Sequence, residues 1–316
     1  VADAGAEPPA AAGLGKFQSL RGVTGFVTVT GFHEGELATQ RRAGVEAEAK
    51  RLERMLDGSR LSDGATKFLR SLRFAAITGR DSDGALWVSP LSGQPGFLRG
   101  DGDTLEISAV LREGDPLHRM PIGQQVGLIA IDFGTRRRLR INGFLVDAAD
   151  GGMTVRVDQA YGNCPKYIHP HEVSVSAEAT AAADIPRCAT SLSTADRAMI
   201  AAADTFFLGT THPTRGSDAS HRGGPPGFVR VDSPDRLWWP DFPGNNMFNS
   251  FGNLAVDDEA ALLFVDFHTG AAVHLSGTAQ VQWTTPGADG DDGGVGRRVV
   301  FSVGSVVALG DSPGVK

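Results

Sequence analysis

Ser89, Gly93, Pro95, Gly96, Phe97 and Arg99 find identical residues 131 positions later, at Ser220, Gly224, Pro226, Gly227, Phe228 and Arg230. Leu105 matches Leu237 at an offset of 132, and Asp132, Phe133, Thr135 and Gly143 match Asp266, Phe267, Thr269 and Gly277 at 134. A spacing that drifts by only three residues across a whole unit marks an internal duplication. It restricts the fold to two copies of one small domain. Such a pair can reproduce within one chain the two-fold interface of a homodimer. A ligand lodged between the copies is then a normal arrangement, because pockets favour domain interfaces.

The texture of the repeated unit is that of short strands. Glycine supplies 41 of the 316 residues and proline 17, while the hydrophobic fraction of 41% is enough to bury a core. The glycines therefore belong in turns between strands. Apolar or alternating runs at 74–78, 85–89, 96–99, 104–108, 126–133, 138–146 and 153–158 are separated by turn clusters such as DSDG, SGQPG and GDGD. The texture restarts at 205–210, 227–231, 236–240, 261–267, 271–283 and 297–309, with a long hairpin loop expected at 284–296. Residues 34–57 read as one helix with Gly58 as C-cap, Ser62 and Asp63 open a second that runs to Leu72, and a third spans 194–203. The expected fold is mainly β with helices (α+β). A tail at 1–30 and a helical lead-in at 31–72 precede a first copy at 73–185 and a second at 186–316.

Charge and cysteine narrow the function. A net charge of −7 disfavours nucleic acid or an anionic membrane as partner. Cys164 and Cys188 cannot make a disulfide scaffold, and no Cys-x-x-Cys zinc site exists. No apolar run is long enough to span a membrane. Residues 1–15, rich in Ala, Gly and Pro, read as a disordered tail rather than a signal peptide. A soluble, bacterial-type cytoplasmic protein is the expectation. Hydrolase, NTPase and Rossmann motifs are missing. His169-Pro170-His171 lacks nearby carboxylate or cysteine spacing, so no metal is expected.

Two segments carry a family resemblance. The second copy contains SHRGGPPGFV at 220–229, WPDFPGNNMFNS at 239–250 and LLF at 262–264; the first contains FGTRRRLRINGFL at 133–145 and YGNCPKYI at 161–168. Together these resemble duplicated, two-barrel members of the pyridoxamine 5'-phosphate oxidase-like, FMN-binding split-barrel superfamily, over roughly residues 30 to 310. The resemblance implies two tandem split β-barrels forming a pseudo-dimer, with FMN between them. A deazaflavin or haem is the alternative ligand, and a non-catalytic binding or storage protein the alternative function. It further implies hydride or electron transfer to a small-molecule acceptor from a donor such as a reduced nicotinamide. The chain would be a monomeric pseudo-dimer or pair further as a homodimer.

The residues that would hold FMN follow. Gly244, Asn245 and Asn246 can offer backbone donors, and Asn249 and Ser250 side-chain donors, to a phosphate. The superfamily pattern commonly has arginine where Met247 stands and a basic residue where Gly252 stands. Either Arg222, or Arg136 or Arg138 from the first copy, then supplies the charge, or the phosphate site is degraded. On a strand, Arg136, Arg138, Arg140 and Asn142 share one face. That face is either an anion site or a solvated surface. Arg138 also matches a superfamily position that contacts FMN, whereas its second-copy counterpart is Ala272, which implies one ligand site per chain. Ser220, His221, Trp239, Pro240, Asp241 and Lys166 complete the candidate set. His221 is the candidate proton donor near the reactive ring. Trp238 and Trp239 point to opposite faces, one of them into the core. Cys164 reads as a small packed residue, and His212, His268 and His274 as structural.

Overall fold

The structure of the protein, a computed structural model, describes residues 31–149, 151–173, 185–288 and 291–310; the tail expected at 1–30 lies outside them. The lead-in begins with α1 (Glu34–Ala43), where the side chains of His33 and Glu36 form a reciprocal cap. It ends at Gly44, whose φ of 69° lets the last carbonyls be capped. α2 (Glu46–Lys50) and a 3₁₀ turn (Glu53–Leu56) follow, so the single helix expected over 34–57 is three short pieces broken at Gly44. α3 (Asp63–Ser71) starts where Ser62 Oγ accepts the Ala65 N–H.

The first sheet comprises β1 (Phe74–Arg80), β2 (Leu86–Ser92), β3 (Leu98–Asp101), β4 (Thr104–Ile107), β5 (Gln125–Asp132), β6 (Arg137–Ala149) and β7 (Gly152–Gly162), in the order β2-β1-β5-β6-β7-β4-β3. After β8 (Arg187–Ala189) and α4 (Thr194–Ala202) comes the second sheet. It comprises β9 (Thr205–His212), β10 (Gly216–Gly223), β11 (Arg230–Ser233), β12 (Arg236–Pro240), β13 (Glu259–Val265), β14 (Ala272–Trp283) and β15 (Arg297–Leu309), with α5 (Asn249–Val256) inserted before β13. Its order, β10-β9-β13-β14-β15-β12-β11, repeats the first strand for strand, with β8 added against β15. Both are wholly antiparallel around separate apolar cores. The duplication extends to a bulge after Asn142 and after Ser276, where a Cβ on Gly143 or Gly277 would lie 2.1 or 2.0 Å from a facing carbonyl oxygen.

The two split barrels form a pseudo-dimer. A third apolar cluster, with Phe74, Val88, Ile129 and Ile131 from one copy and Phe207, Ala219, Ala261 and Leu263 from the other, seals them face to face. β10 lies at this seam, beside β5 and β6. Its sequence GSDASHRG lacks alternation because it faces protein on both sides, so the strand runs do not include it.

The lead-in divides between the barrels: α1 docks on α5 of the second, while α3 packs on the first, with Phe68 and Leu69 in its core. A Cβ on Gly35 would lie 2.1 Å from the Gly252 carbonyl oxygen, and one on Gly252 would strike Glu36, so α1 and α5 touch backbone to backbone. Phe32, Ala49 and Leu56 close over Met247 and Tyr161. The two departures from the superfamily pattern, Met247 and Gly252, are both contacts with this segment. His33 Nδ1 accepts the Gly35 N–H and Nε2 bonds Asn253; His212 Nδ1 accepts the Thr214 and Arg215 N–H groups and Nε2 bonds Glu34. His33, Glu34 and His212 are close enough to suit a cation. The backbone donors nevertheless keep the proton on each Nε2, which favours a hydrogen-bonded clasp. Among the described residues, no helix is long and apolar enough to cross a membrane.

Candidate functional site

One continuous cleft runs along the seam. Its inner part, with about 670 Å³ of free space out to the mouth, is walled by β6 and the loop after β7 on one side and by β10, β12 and the loop after β12 on the other. A second lobe of about 450 Å³ continues toward the start of α5. Arg140, Arg222, Asp241 and Asn245 border both.

The strands explain the charges. β6 runs antiparallel to β5, with Arg138 opposite Ile131 and Arg140 opposite Ile129, so the two arginines share the seam face. Arg222 reaches the same space from β10, and Arg297 from the start of β15. Burial, reinforced by Arg140 and Arg222, pushes Arg138 down to about 10; burial also brings Arg222 to about 10 despite Asp241. Burial opposes the charge of Arg140 as well, but the Asp218 carboxylate at 2.9 Å, with Tyr161, holds its pKa above the ordinary value. Arg297 Nε donates to Asp241 at 2.8 Å, yet burial still raises the Asp241 carboxyl. The Nε atoms of Arg138, Arg140 and Arg222, Nδ2 of Asn163 and Nε1 of Trp239 are buried with no hydrogen-bond partner. Five unsatisfied donors in one cleft are costly unless an acceptor group completes them.

His221 sits among them. Arg138 Nη1 donates to its Nδ1 at 2.8 Å. Burial, then Arg138 and Arg222, holds its pKa well below the ordinary value, so the ring is neutral. The proton resides on Nε2, which has no partner.

Most residues singled out in the sequence meet here. Arg138, Lys166, His221, Arg222, Trp239, Pro240, Asp241 and Asn245 line the inner part, and Asn246, Asn249 and Ser250 the second lobe. Ser220 stands one layer behind, where Ser250 Oγ donates to it at 3.2 Å and to Asp218 at 3.3 Å. Asn245 bridges to Asn163, and Asn249 donates to Glu36 at 2.5 Å. Arg136 does not join them. It lies in the β5–β6 turn with φ 54, outside the strand alternation, and borders a separate outer groove. The face expected to carry Arg136, Arg138 and Arg140 therefore carries two arginines, because β6 begins at Arg137. Cys164, read as packed, is half-buried and lines the cleft. Trp239 combines core packing with cleft lining, while Trp238 packs against Arg230 and Arg298. Arg140, expected on the same strand face as Arg138, lines the cleft with it, whereas Asn163, Tyr167, Asp218 and Arg297 had no local signal to single them out.

The four non-glycine residues with positive φ among those described are Arg136, Tyr167, Asn246 and Phe248, and all border the cleft or its adjoining groove. Such strain concentrates at functional sites.

Residues 192–290 match the family of pyridoxamine 5'-phosphate oxidase. The second barrel is similar to that oxidase over most of its length. The strand order of this oxidase-like barrel is that of its partner in the same chain. Among solved structures, HupZ from Group A Streptococcus is 12% identical, with 38% of this chain and 96% of that one covered and a TM-score of 0.31. A putative pyridoxamine 5'-phosphate oxidase from Lactobacillus delbrueckii is 16% identical (37% and 94% covered, TM-score 0.32). HutZ, the heme storage protein from Vibrio cholerae, is 10% identical (38% and 97% covered, TM-score 0.28). No curated protein matches the sequence.

Proposed function

We propose that the protein is an FMN-dependent oxidoreductase of the bacterial cytoplasm that binds one flavin between its barrels. The observation that carries this reading is the set of buried, unpartnered guanidinium and indole N–H groups that both barrels turn into one cleft. They suit an anionic group joined to a flat, polar-edged ring. Arg140, Arg222 and Arg297, with Asn246, Asn249 and Ser250, would hold the phosphate in the second lobe. Trp239, Phe228 and Tyr167 give the inner part apolar walls for the ring, and Lys166 and Arg138 keep positive charge at its edge. When bound, FMN supplies two-electron chemistry between a reduced nicotinamide donor and a small acceptor. His221 holds a proton on Nε2 beside that space. The same tautomer favours flavin over haem, because a protonated Nε2 has no lone pair for iron.

The visible spectrum of the purified protein tests this. Flavin bands that bleach on addition of reduced nicotinamide, with FMN raising the melting temperature, are expected. A colourless protein that FMN does not stabilise overturns the reading, and a Soret band replaces it with haem binding or storage.

A further inference from the structure

The outer groove that takes Arg136 holds about 920 Å³ of free space and adjoins the cleft. Tyr167 separates the two, because its side chain borders both. That partition is held firmly. The Tyr167 hydroxyl donates to the Pro243 carbonyl at 3.2 Å, and its ring stacks on Phe242 with centroids 5.2 Å apart. Its own carbonyl presses where a Cβ on Gly223 would be, 1.9 Å away. The first barrel's loop is thus clamped onto the second barrel on both sides of the ring.

The groove has a definite chemistry. Tyr167, Pro170 and Pro225 present flat apolar surfaces. The Arg136 guanidinium is exposed at the rim and makes no hydrogen bond or ion pair with any described residue. The nearby Asp204 carboxylate is already matched, by His171 at 2.9 Å and His169 at 4.0 Å. A free fork of donors above an aromatic and proline floor suits a flat ring with an anionic substituent.

We propose that this groove binds the second substrate, a planar quinone-like compound bearing a carboxylate- or sulfonate-type anion, with the anion on Arg136 and the ring against Tyr167. Its role as acceptor site, in which the reduced flavin passes two electrons one at a time past Tyr167 and two protons from solvent complete the hydroquinone while the flavin returns to its oxidised form, rests on the flavin reading of the cleft; the binding itself does not.

The probes are anthraquinone-2-sulfonate and the neutral 2-(hydroxymethyl)anthraquinone, titrated calorimetrically into the full chain, into Arg136→Ala and into Arg222→Ala, each with and without FMN. We expect the sulfonate to bind about tenfold more tightly than the neutral ring, Arg136→Ala to erase that difference, and Arg222→Ala to keep it. FMN affinity should be the same in Arg136→Ala as in the parent. Equal affinities for the two probes, or a preference lost in Arg222→Ala and kept in Arg136→Ala, overturn the proposal. If FMN fails to bind while the Arg136-dependent preference persists, the flavin reading falls and the groove stands. If FMN binds and Arg136→Ala changes nothing, the groove falls alone.

Discussion

Ser89 and Ser220 occupy the same place in the two barrels but keep different company. Around Ser220, Ser250 bridges to Asp218, Asp218 pairs with Arg140, and Arg138 and Arg222 border open space. Around Ser89 the positions of Arg138, Arg140, Arg222 and Asp218 are taken by Ala272, His274, Leu91 and Trp87, all buried. Ser89 donates to Asp115 at 2.5 Å, Leu117 N donates to the same oxygen, and His274 Nδ1 donates to the Val88 carbonyl. One backbone plan thus holds an arginine-rich, open site in one place and a closed, packed one in the other. The difference lies in a handful of side chains, because duplication frees one copy to be packed for stability while the other keeps its unsatisfied donors. The start of the lead-in follows the same asymmetry, with α1 docked on α5 beside the open site, whereas α3 packs on the first barrel.

The largest effect should break the closed side. Asp115→Ala leaves Ser89 and the Leu117 N–H unpaired in the core and should cost about 3 kcal/mol in urea denaturation, with FMN affinity unchanged. On the open side, Arg222→Ala should weaken FMN binding by about 2–3 kcal/mol in fluorescence titration, with little loss of stability. An unchanged affinity would make the open site as structural as the closed one.

The docked lead-in offers a pH test. Burial raises the Glu36 carboxyl to about 7, above its unfolded 4.5. The folded state therefore holds the extra proton between those values, and the stability this contributes is full below 4.5 and lost as pH rises through 7. Glu36→Gln should be more stable than the parent at pH 8 by about 1–2 kcal/mol and nearly equal to it at pH 4. His33, lowered to about 4 by burial and by His212, works in the opposite sense, since its stability is lost as pH falls below about 6.5. Denaturation of the two proteins across pH 4–8 separates them; a parallel pair of curves would remove Glu36 from the account.

Arg138→Ala should weaken FMN binding by about 1–2 kcal/mol and raise the His221 pKa, which an NMR titration would follow. The smallest effect is expected from Arg112→Ala. That arginine lies on the closed side, where it donates to the Gly270 carbonyl, so FMN affinity should move by less than about 0.5 kcal/mol.

Particular residues show how much could be read in advance. β6 and β14 announce themselves by alternation, and their glycines recur because each sits at a bulge that admits no Cβ. β10 could not be read, because a strand buried on both faces at a polar seam shows no period. Arg297 and Asn163 reach the cleft from loops and strand ends far apart in the chain, with no local pattern to mark them. Arg136 was misplaced because one left-handed turn residue ends the alternation that its neighbours obey.

By itself the sequence determined the duplication, the mainly antiparallel β character and the strand face that carries Arg138 and Arg140, since these follow from repeats and from the two-residue period of a strand. Only the tertiary structure decided that the two faces meet across a single cleft, that Met247 and Gly252 serve the docked lead-in, and that Arg136 belongs to a separate groove. Each of those depends on which surfaces the barrels bury against one another, and no local periodicity encodes a contact between residues eighty or more positions apart, such as Arg138 and His221.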